Sequence, residues 1–360
     1  MKRGRRGRRL ALFFSFAALT LLAGCAGGQP AGSWFGVAAD GDVVYLAANQ
    51  QVFALSLEDA AVLWKFPPEP DKETGPFYAT PLLLSDAIVV GGFNDGKLYA
   101  VSRNPGEQKW VVDLGAPIVE GAVATDGGIV VGNGEGEVYL VDAATQEKRL
   151  LLKTDEPIWS TPLVDEVGGR AYIASMDHHL YAVDLDSAEL VWSFEAGGAL
   201  AGTPALRDGV VYFGDFDSRF YALDAETSEE LWHFDTKGWV WGGPLVHEGS
   251  VFFGDMAGRV YALNVADGSP RWTFEAGGAV RVTPVMSDNV LFLGARGGKV
   301  YALSEDGTQL WTQDLGGSIY SQPLAVGDYL LISPHNTKVQ LVALDAKSGA
   351  ERWSYPPREE

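Results

Sequence analysis

The feature that most limits how this chain can fold is a unit of about forty residues that recurs along nearly all of it. Anchored on the aromatic of a Tyr-Ala-Leu triplet, the copies are marked by Phe53, Tyr99, Tyr139, Tyr181, Tyr221, Tyr261 and Tyr301, with Val342 in the same register. The intervals are 46, 40, 42, 40, 40, 40 and 41 residues. Eleven residues after the anchor stands a tryptophan, at Trp64, Trp110, Trp192, Trp232, Trp272 and Trp353. Trp311 comes one residue early, and Leu150 holds the place in the third copy. A proline opens the unit at Pro81, Pro162, Pro204, Pro244, Pro284 and Pro323, with Ala122 in that place in the third copy and Gly36 in the first.

One copy, residues 208–234, shows what the unit is. It holds three short runs of β-branched and aromatic residues, punctuated by Asp-Gly, Asp-Ser and Thr-Ser pairs. Such alternation between turn residues predicts antiparallel strands, and the proline-bearing run 202–206 adds a fourth. A lone four-stranded sheet cannot cover both of its faces, so it needs neighbours of its own kind. Eight copies of four strands predict an all-β fold, an eight-bladed β-propeller with four antiparallel strands per blade. The chain enters near the proline strand and ends on the tryptophan strand. Each repeat then maps onto a whole blade, and the ring closes by face packing aided by Trp34 and Phe35. A closing blade shared between the two termini is the alternative.

The first 24 residues read as a sorting segment. Six Lys and Arg precede an apolar run from Leu10 to Ala23, short for a membrane span but suited to an export signal. Leu22-Ala23-Gly24-Cys25 follows, and Cys25 is the sole cysteine of the chain, so a disulfide within it is excluded. The expected organisation is a signal peptide over 1–24, a tether over 25–33, the propeller over 34–355 and a polar tail over 356–360. A proline-rich charged stretch, 67–75, accounts for the long first interval and reads as an exposed loop.

Charge narrows the function classes. Loss of the six leader cations takes Lys plus Arg from 27 to 21 against 47 Asp plus Glu, and the net charge from −20 to about −26. Nucleic-acid binding rests on clustered cations and is not expected. No nucleophile elbow, zincin helix or Cys/His metal cluster is present. Neither a catalytic residue nor a metal ligand is assigned. His178-His179 reads as a solvated turn, and residues 132–136 as a hairpin turn rather than a phosphate loop. Asp215, Asp217 and Asp255 lack the spacing of a calcium loop.

Residues 221–232 and 342–353, Tyr-Ala-Leu-Asp-Ala-Glu-Thr-Ser-Glu-Glu-Leu-Trp and Val-Ala-Leu-Asp-Ala-Lys-Ser-Gly-Ala-Glu-Arg-Trp, resemble the tryptophan-docking motif of the pyrroloquinoline-quinone-type propeller repeat. The resemblance covers nearly all of 36–355. It implies that Trp64, Trp110, Trp192, Trp232, Trp272, Trp311 and Trp353 tie each blade to the next. Leu-Ala-Gly-Cys resembles the bacterial lipobox, which implies lipidation of Cys25 and a membrane anchor. Eight repeats behind a lipobox resemble the lipoproteins of outer-membrane β-barrel assembly, a non-enzymatic branch without cofactor that works through protein partners. Its place is the periplasmic side of the outer membrane, and a monomeric propeller is expected. The other branch is the quinoprotein dehydrogenases, which hold the tricarboxylate quinone with calcium. They are longer and carry an adjacent cysteine pair that is missing here. In a cell without an outer membrane, the same chain reads as a binding propeller on the outer face of the cytoplasmic membrane.

One slot lies three residues before the proline, where each blade starts beside the central channel. It holds Tyr78, Val119, Trp159, Ala201, Trp241, Arg281 and Tyr320. Aromatics and arginine are enriched in binding hot spots. Tyr78, Trp159, Trp241, Arg281 and Tyr320 are therefore the expected partner-binding residues, with Trp239, His178, His179, Arg296 and His335 on the same face. Packing between blades is the competing role for these rings.

Overall fold

A computed structural model describes residues 35–358, and among them there is no helix. Eight sheets of four antiparallel strands follow one another, each a simple meander in sequence order. The fifth is representative, with strands Ala205–Arg207, Val210–Gly214, Arg219–Asp224 and Glu230–Asp235. Innermost strands are only two or three residues long except in the first blade, Gly36–Asp40. The two middle strands carry the core. Val211, Tyr212, Phe213, Phe220, Tyr221, Ala222 and Leu223 are all buried, because both faces of a blade's centre meet other blades. Each such large apolar side chain contributes roughly 1.5–3 kcal/mol. Phe220 and Phe253 stack at 3.9 Å between the fifth and sixth blades.

Six tryptophans bond across to the neighbouring blade. Indole N–H groups of Trp64, Trp192, Trp232, Trp272 and Trp311 donate to the carbonyls of Arg103, Ala225, Val265, Glu305 and Ala346 in the next blade, at 2.7–3.1 Å. Each indole lies opposite the alanine of the Tyr-Ala-Leu triplet, as Trp232 does opposite Ala222, because a larger residue would crowd the ring. The next blade's turn packs onto the indole, closely enough that a Cβ on Gly268 would come within 2.6 Å of Trp232. Trp110 holds the same place opposite Ala100 and packs with the core shared by the second and third blades.

The ring closes by the same device. Trp353 donates to the carbonyl of Leu57 at 2.8 Å, and Tyr355 packs on Phe53 at 5.4 Å. Phe35 shares a buried cluster with Leu331 and Leu341 of the last blade. Each repeat is thus one whole blade, and the termini do not share one.

Strand register corrects two sequence assignments. Leu150 is not in the tryptophan slot. The residue opposite Leu140, which replaces the triplet alanine, is Arg149, while Leu150 pairs with Tyr139 and is 47% exposed. The guanidinium of Arg149 donates to the carbonyls of Leu185 and Asp186, and Leu185 occupies the position whose carbonyl accepts the indole elsewhere. In the first blade the proline place belongs to Val37 rather than Gly36, because its central hairpin is one residue shorter, with Ala48 paired to Gln51. The early arrival of Trp311 has a similar cause. The turn after Ser304 closes at Thr308, one residue sooner than the turn from Asp224 to Glu229. The assignments for 1–24, for Cys25 and the tether 25–33, and for Trp34 lie outside the described residues, as do 359–360 of the tail.

Candidate functional site

Two sets of loops build one face of the ring: those that enter each blade, and those joining its second and third strands. Backbone bonds tie them together. Phe216 donates to the Ala199 carbonyl at 3.0 Å, Met256 to Trp239 at 2.8 Å and Arg296 to Ala279 at 2.8 Å. The hairpin beneath is fixed by a buried carboxylate. Asp215 accepts from the amides of Asp217, Arg219 and Gly198 and from the Tyr221 hydroxyl, at 2.8–3.1 Å. Burial, with this carboxylate beside it, pushes the Tyr221 phenol up to about 12. Asp255 takes the same role with Arg259 and Tyr261. These acids are caps, with their lone pairs already used.

The rim slot divides. Trp159, Trp241, Arg281 and Tyr320 are partly exposed, whereas Val119 and Ala201 are buried. Tyr78 departs from the expected exposed ring: it is 8% exposed and packs edge-on against Phe93 at 5.3 Å. Burial raises its phenol pKa. Trp159 and Trp241 lie 6.1 Å apart, Phe216 packs on Trp241 at 4.8 Å, and Trp239 stacks on Phe216 at 5.4 Å. Half of Trp239 faces outward. The result is an aromatic arc over the fourth to sixth blades.

Arg281 continues the arc. Its guanidinium carbon sits 3.8 Å from the Trp241 ring centroid and 4.8 Å from that of Tyr320, a double cation–π contact of roughly 0.5–2 kcal/mol. It is half-buried between two rings, and burial lowers its pKa. His335 lies 5.5 Å from Tyr320 and is 3% exposed. Burial first, and the Arg281 charge second, push its pKa below the ordinary histidine value. His178 is exposed in its turn, and His179 packs on Tyr181 at 5.5 Å with Nδ1 on the Asp177 carbonyl.

Phe216 was missed in the sequence. A second column, five residues before the anchor, holds Met176, Phe216, Met256 and Arg296, and its large side chains would have marked the site. The 67–75 loop reaches the same face and is tied down by Gln51, which donates to the carbonyls of Pro67 and Pro68, and by Asn94, which donates to that of Lys72.

Inside the rim, the channel forms a cavity of about 620 Å³ walled mainly by glycine, alanine, threonine and proline of the innermost strands. Among the described residues lining it, Glu120 and Arg281 are the charged ones. Blades approach so closely here that a Cβ on Gly243 would lie 2.4 Å from the Thr203 carbonyl oxygen. This donor set does not fit the quinone and calcium of the dehydrogenase branch. One guanidinium faces three ligand carboxylates, and calcium takes six to eight oxygens where the wall offers one carboxylate. No cluster of three or more His, Cys, Asp or Glu suited to a metal occurs among the described residues.

The chain is similar to the outer membrane protein assembly factor BamB of Yersinia pestis, with 29% identity over 184 residues, 45% of this chain and 44% of that protein. It is also 26% identical to BamB of Moranella endobia (strain PCIT) over 206 residues, 50% of this chain and 49% of that one. The aligned region thus spans about half the length of these relatives. Among solved structures, BamB from Moraxella catarrhalis matches with a TM-score of 0.69 at 18% identity, covering 85% of this chain and 92% of that one. The computationally designed Ika8 protein matches at 0.72 and 14%, covering 86% and 96%. These two likenesses concern the fold. The family model described as outer membrane protein assembly factor BamB matches residues 27–119, 94–215, 167–240 and 217–360, and the chain belongs to that family.

Proposed function

We propose that this chain is a non-catalytic propeller scaffold for protein–protein interaction in outer-membrane β-barrel protein assembly. In this reading it is exported, lipid-anchored through Cys25 and held on the periplasmic side of the outer membrane. Family membership supports the assembly role. The observation that carries the interaction reading is the aromatic arc of half-exposed Trp239 and partly buried Phe216, Trp241 and Trp159, held on hydrogen-bonded loops. Exposed aromatics on a rigid support bring contact area at little entropic cost. The hydrogen bonds that fasten blade to blade come from other tryptophans.

The test is crosslinking and pull-down of the native lipoprotein from membranes, with wild type beside a Trp159→Ala, Trp239→Ala double variant. Recovery of an outer-membrane barrel protein with periplasmic domains is expected. The variant should capture at least tenfold less, about 1.4 kcal/mol, with nearly unchanged melting. Undiminished capture by a folded variant would move the docking face elsewhere, beginning with the 67–75 loop.

A further inference from the structure

Charge on the loop face of the ring is sorted by sector. In the third, fourth and fifth blades the entering connections are 114–122, 154–162 and 196–204, and those between second and third strands are 133–136, 175–178 and 215–218. They contain no lysine or arginine, and Glu135, Asp155, Glu156 and Asp217 are exposed in them. The matching connections of the sixth, seventh and eighth blades are 236–244, 276–284 and 315–323, with 255–258, 295–298 and 333–340. Their one carboxylate is Asp255, which is fully buried and used as a cap. Arg281 and Lys338 in these connections already have partners, so the cations this sector offers are the exposed Lys237 and Arg296.

The strand ends beneath are matched in sign. Arg219 pairs with Asp235 at 2.9 Å, Arg259 with Glu275 at 2.7 Å and Lys153 with Glu137 at 3.7 Å, while Lys299 stands opposite Asp314. The unmatched charge therefore sits in the connections. The basic side is one continuous surface, because Met256 donates to the Trp239 carbonyl, Ala276 to that of Gly258 and Arg296 to that of Ala279, each at 2.8 Å. Lys237, beside half-exposed Trp239, stands at one end of it and Arg296 at the other. The aromatic arc crosses the boundary between the sectors. Trp159 comes from the acidic side, and Trp239 and Trp241 come from the basic side.

A wholly acidic partner is repelled by one sector, and a wholly basic partner by the other. Like charges brought face to face are costly, whereas complementary ones fix orientation. A second copy satisfies the pattern through a twofold axis, but two chains of net charge −20 repel each other. Building on the scaffold reading above, we infer that the docked partner protein presents a two-signed surface. A carboxylate-rich patch lies over Lys237 and Arg296, and a lysine- and arginine-rich patch over Glu135, Asp155, Glu156 and Asp217. An apolar band between them rests on the arc. The face thereby sets the partner's rotation about the ring axis, which apolar contact, being non-directional, specifies weakly.

The test places a photo-crosslinker at two exposed positions of the full chain, Glu156→benzoylphenylalanine on the acidic side and Ala257→benzoylphenylalanine on the basic side. After illumination in native membranes, the attached peptides are identified by mass. Residue 257 should capture a stretch rich in Asp and Glu, and residue 156 a stretch of the same partner rich in Lys and Arg. Two charge reversals follow, Lys237→Glu with Arg296→Glu, and Asp155→Lys with Glu156→Lys. Each should weaken capture of that partner at least about tenfold, and high salt should weaken capture by wild type. Melting reports whether each reversal folds, and the crosslinks read the pattern without reversing any charge. Partner stretches of one sign at both positions overturn the inference. So does capture that ignores both reversals while Trp159→Ala with Trp239→Ala still removes it, and this outcome leaves the scaffold reading standing. Crosslinks between two copies of the chain overturn it in favour of self-association. Capture of no partner by wild type overturns the scaffold reading and this inference together.

Discussion

The guanidinium of Arg149 donates to the carbonyl of Leu185, the bond that an indole makes in six of the other seven blades. Charged donors make bonds worth roughly 1.5–3 kcal/mol when shielded, and exposure of this side chain reduces that. Arg149→Ala should lower stability by roughly 1–2 kcal/mol, seen as an earlier melting midpoint. Leu150→Trp should not stabilise the seam, because residue 150 faces solvent. A clear rise in melting temperature for Leu150→Trp would mean that the strand can slip into the ordinary register.

Trp232 fills a site closed by Ala222 on its own blade and Gly268 on the next. Trp232→Ala should cost roughly 3–5 kcal/mol, read as a large loss in the denaturant midpoint. Gly268 sits at φ +70° with the indole within 2.6 Å of an added Cβ. Gly268→Ala combines backbone strain with overpacking and should cost roughly 1–3 kcal/mol. Unchanged midpoints for both would remove the docking contact from the account of stability.

Blade number, strand order and the docking tryptophans were legible because a closed ring repeats its constraints every forty residues. Where the sequence misled, the reason was local. Counting from Tyr139 pointed to Leu150, since counting does not see that the bulge in this blade falls at Leu151, later along the strand than elsewhere. The change of Tyr-Ala-Leu to Tyr-Leu-Val at 139–141 was the available sign, because Leu140 fills space that an indole needs. At the rim, spacing identified the slot but not its depth. Tyr78 and Tyr320 share it, yet Phe93 covers Tyr78 while Arg281 holds Tyr320 at the mouth.

His335 sets a pH dependence. Burial and Arg281 lower its pKa in the folded state, so between that value and about 6.5 the unfolded chain binds more protons. Stability contributed by neutral His335 is present above about 6.5 and is lost as pH falls through this window. The melting temperature should therefore drop between pH 7.5 and 5, and His335→Asn should flatten that part of the curve. A wild-type and variant pair with parallel profiles would dismiss His335 as the source.

Cys25 is tested by fractionation. If the proposed anchor holds the protein on membranes, Cys25→Ser should shift it to the soluble fraction. Tight membrane association of an intact Cys25→Ser protein would exclude the lipid anchor.

The bond from Trp353 to Leu57 spans 296 residues, and it has a kinetic consequence. Contacts between distant parts of a chain form late, because loop-closure entropy is lost before the contact returns any stability. The first blade has no partner on one face until the eighth has emerged. During synthesis the chain therefore passes through a stage with seven blades' worth of sequence available and two open apolar flanks. Such a stage is exposed to aggregation, and the last forty residues end it.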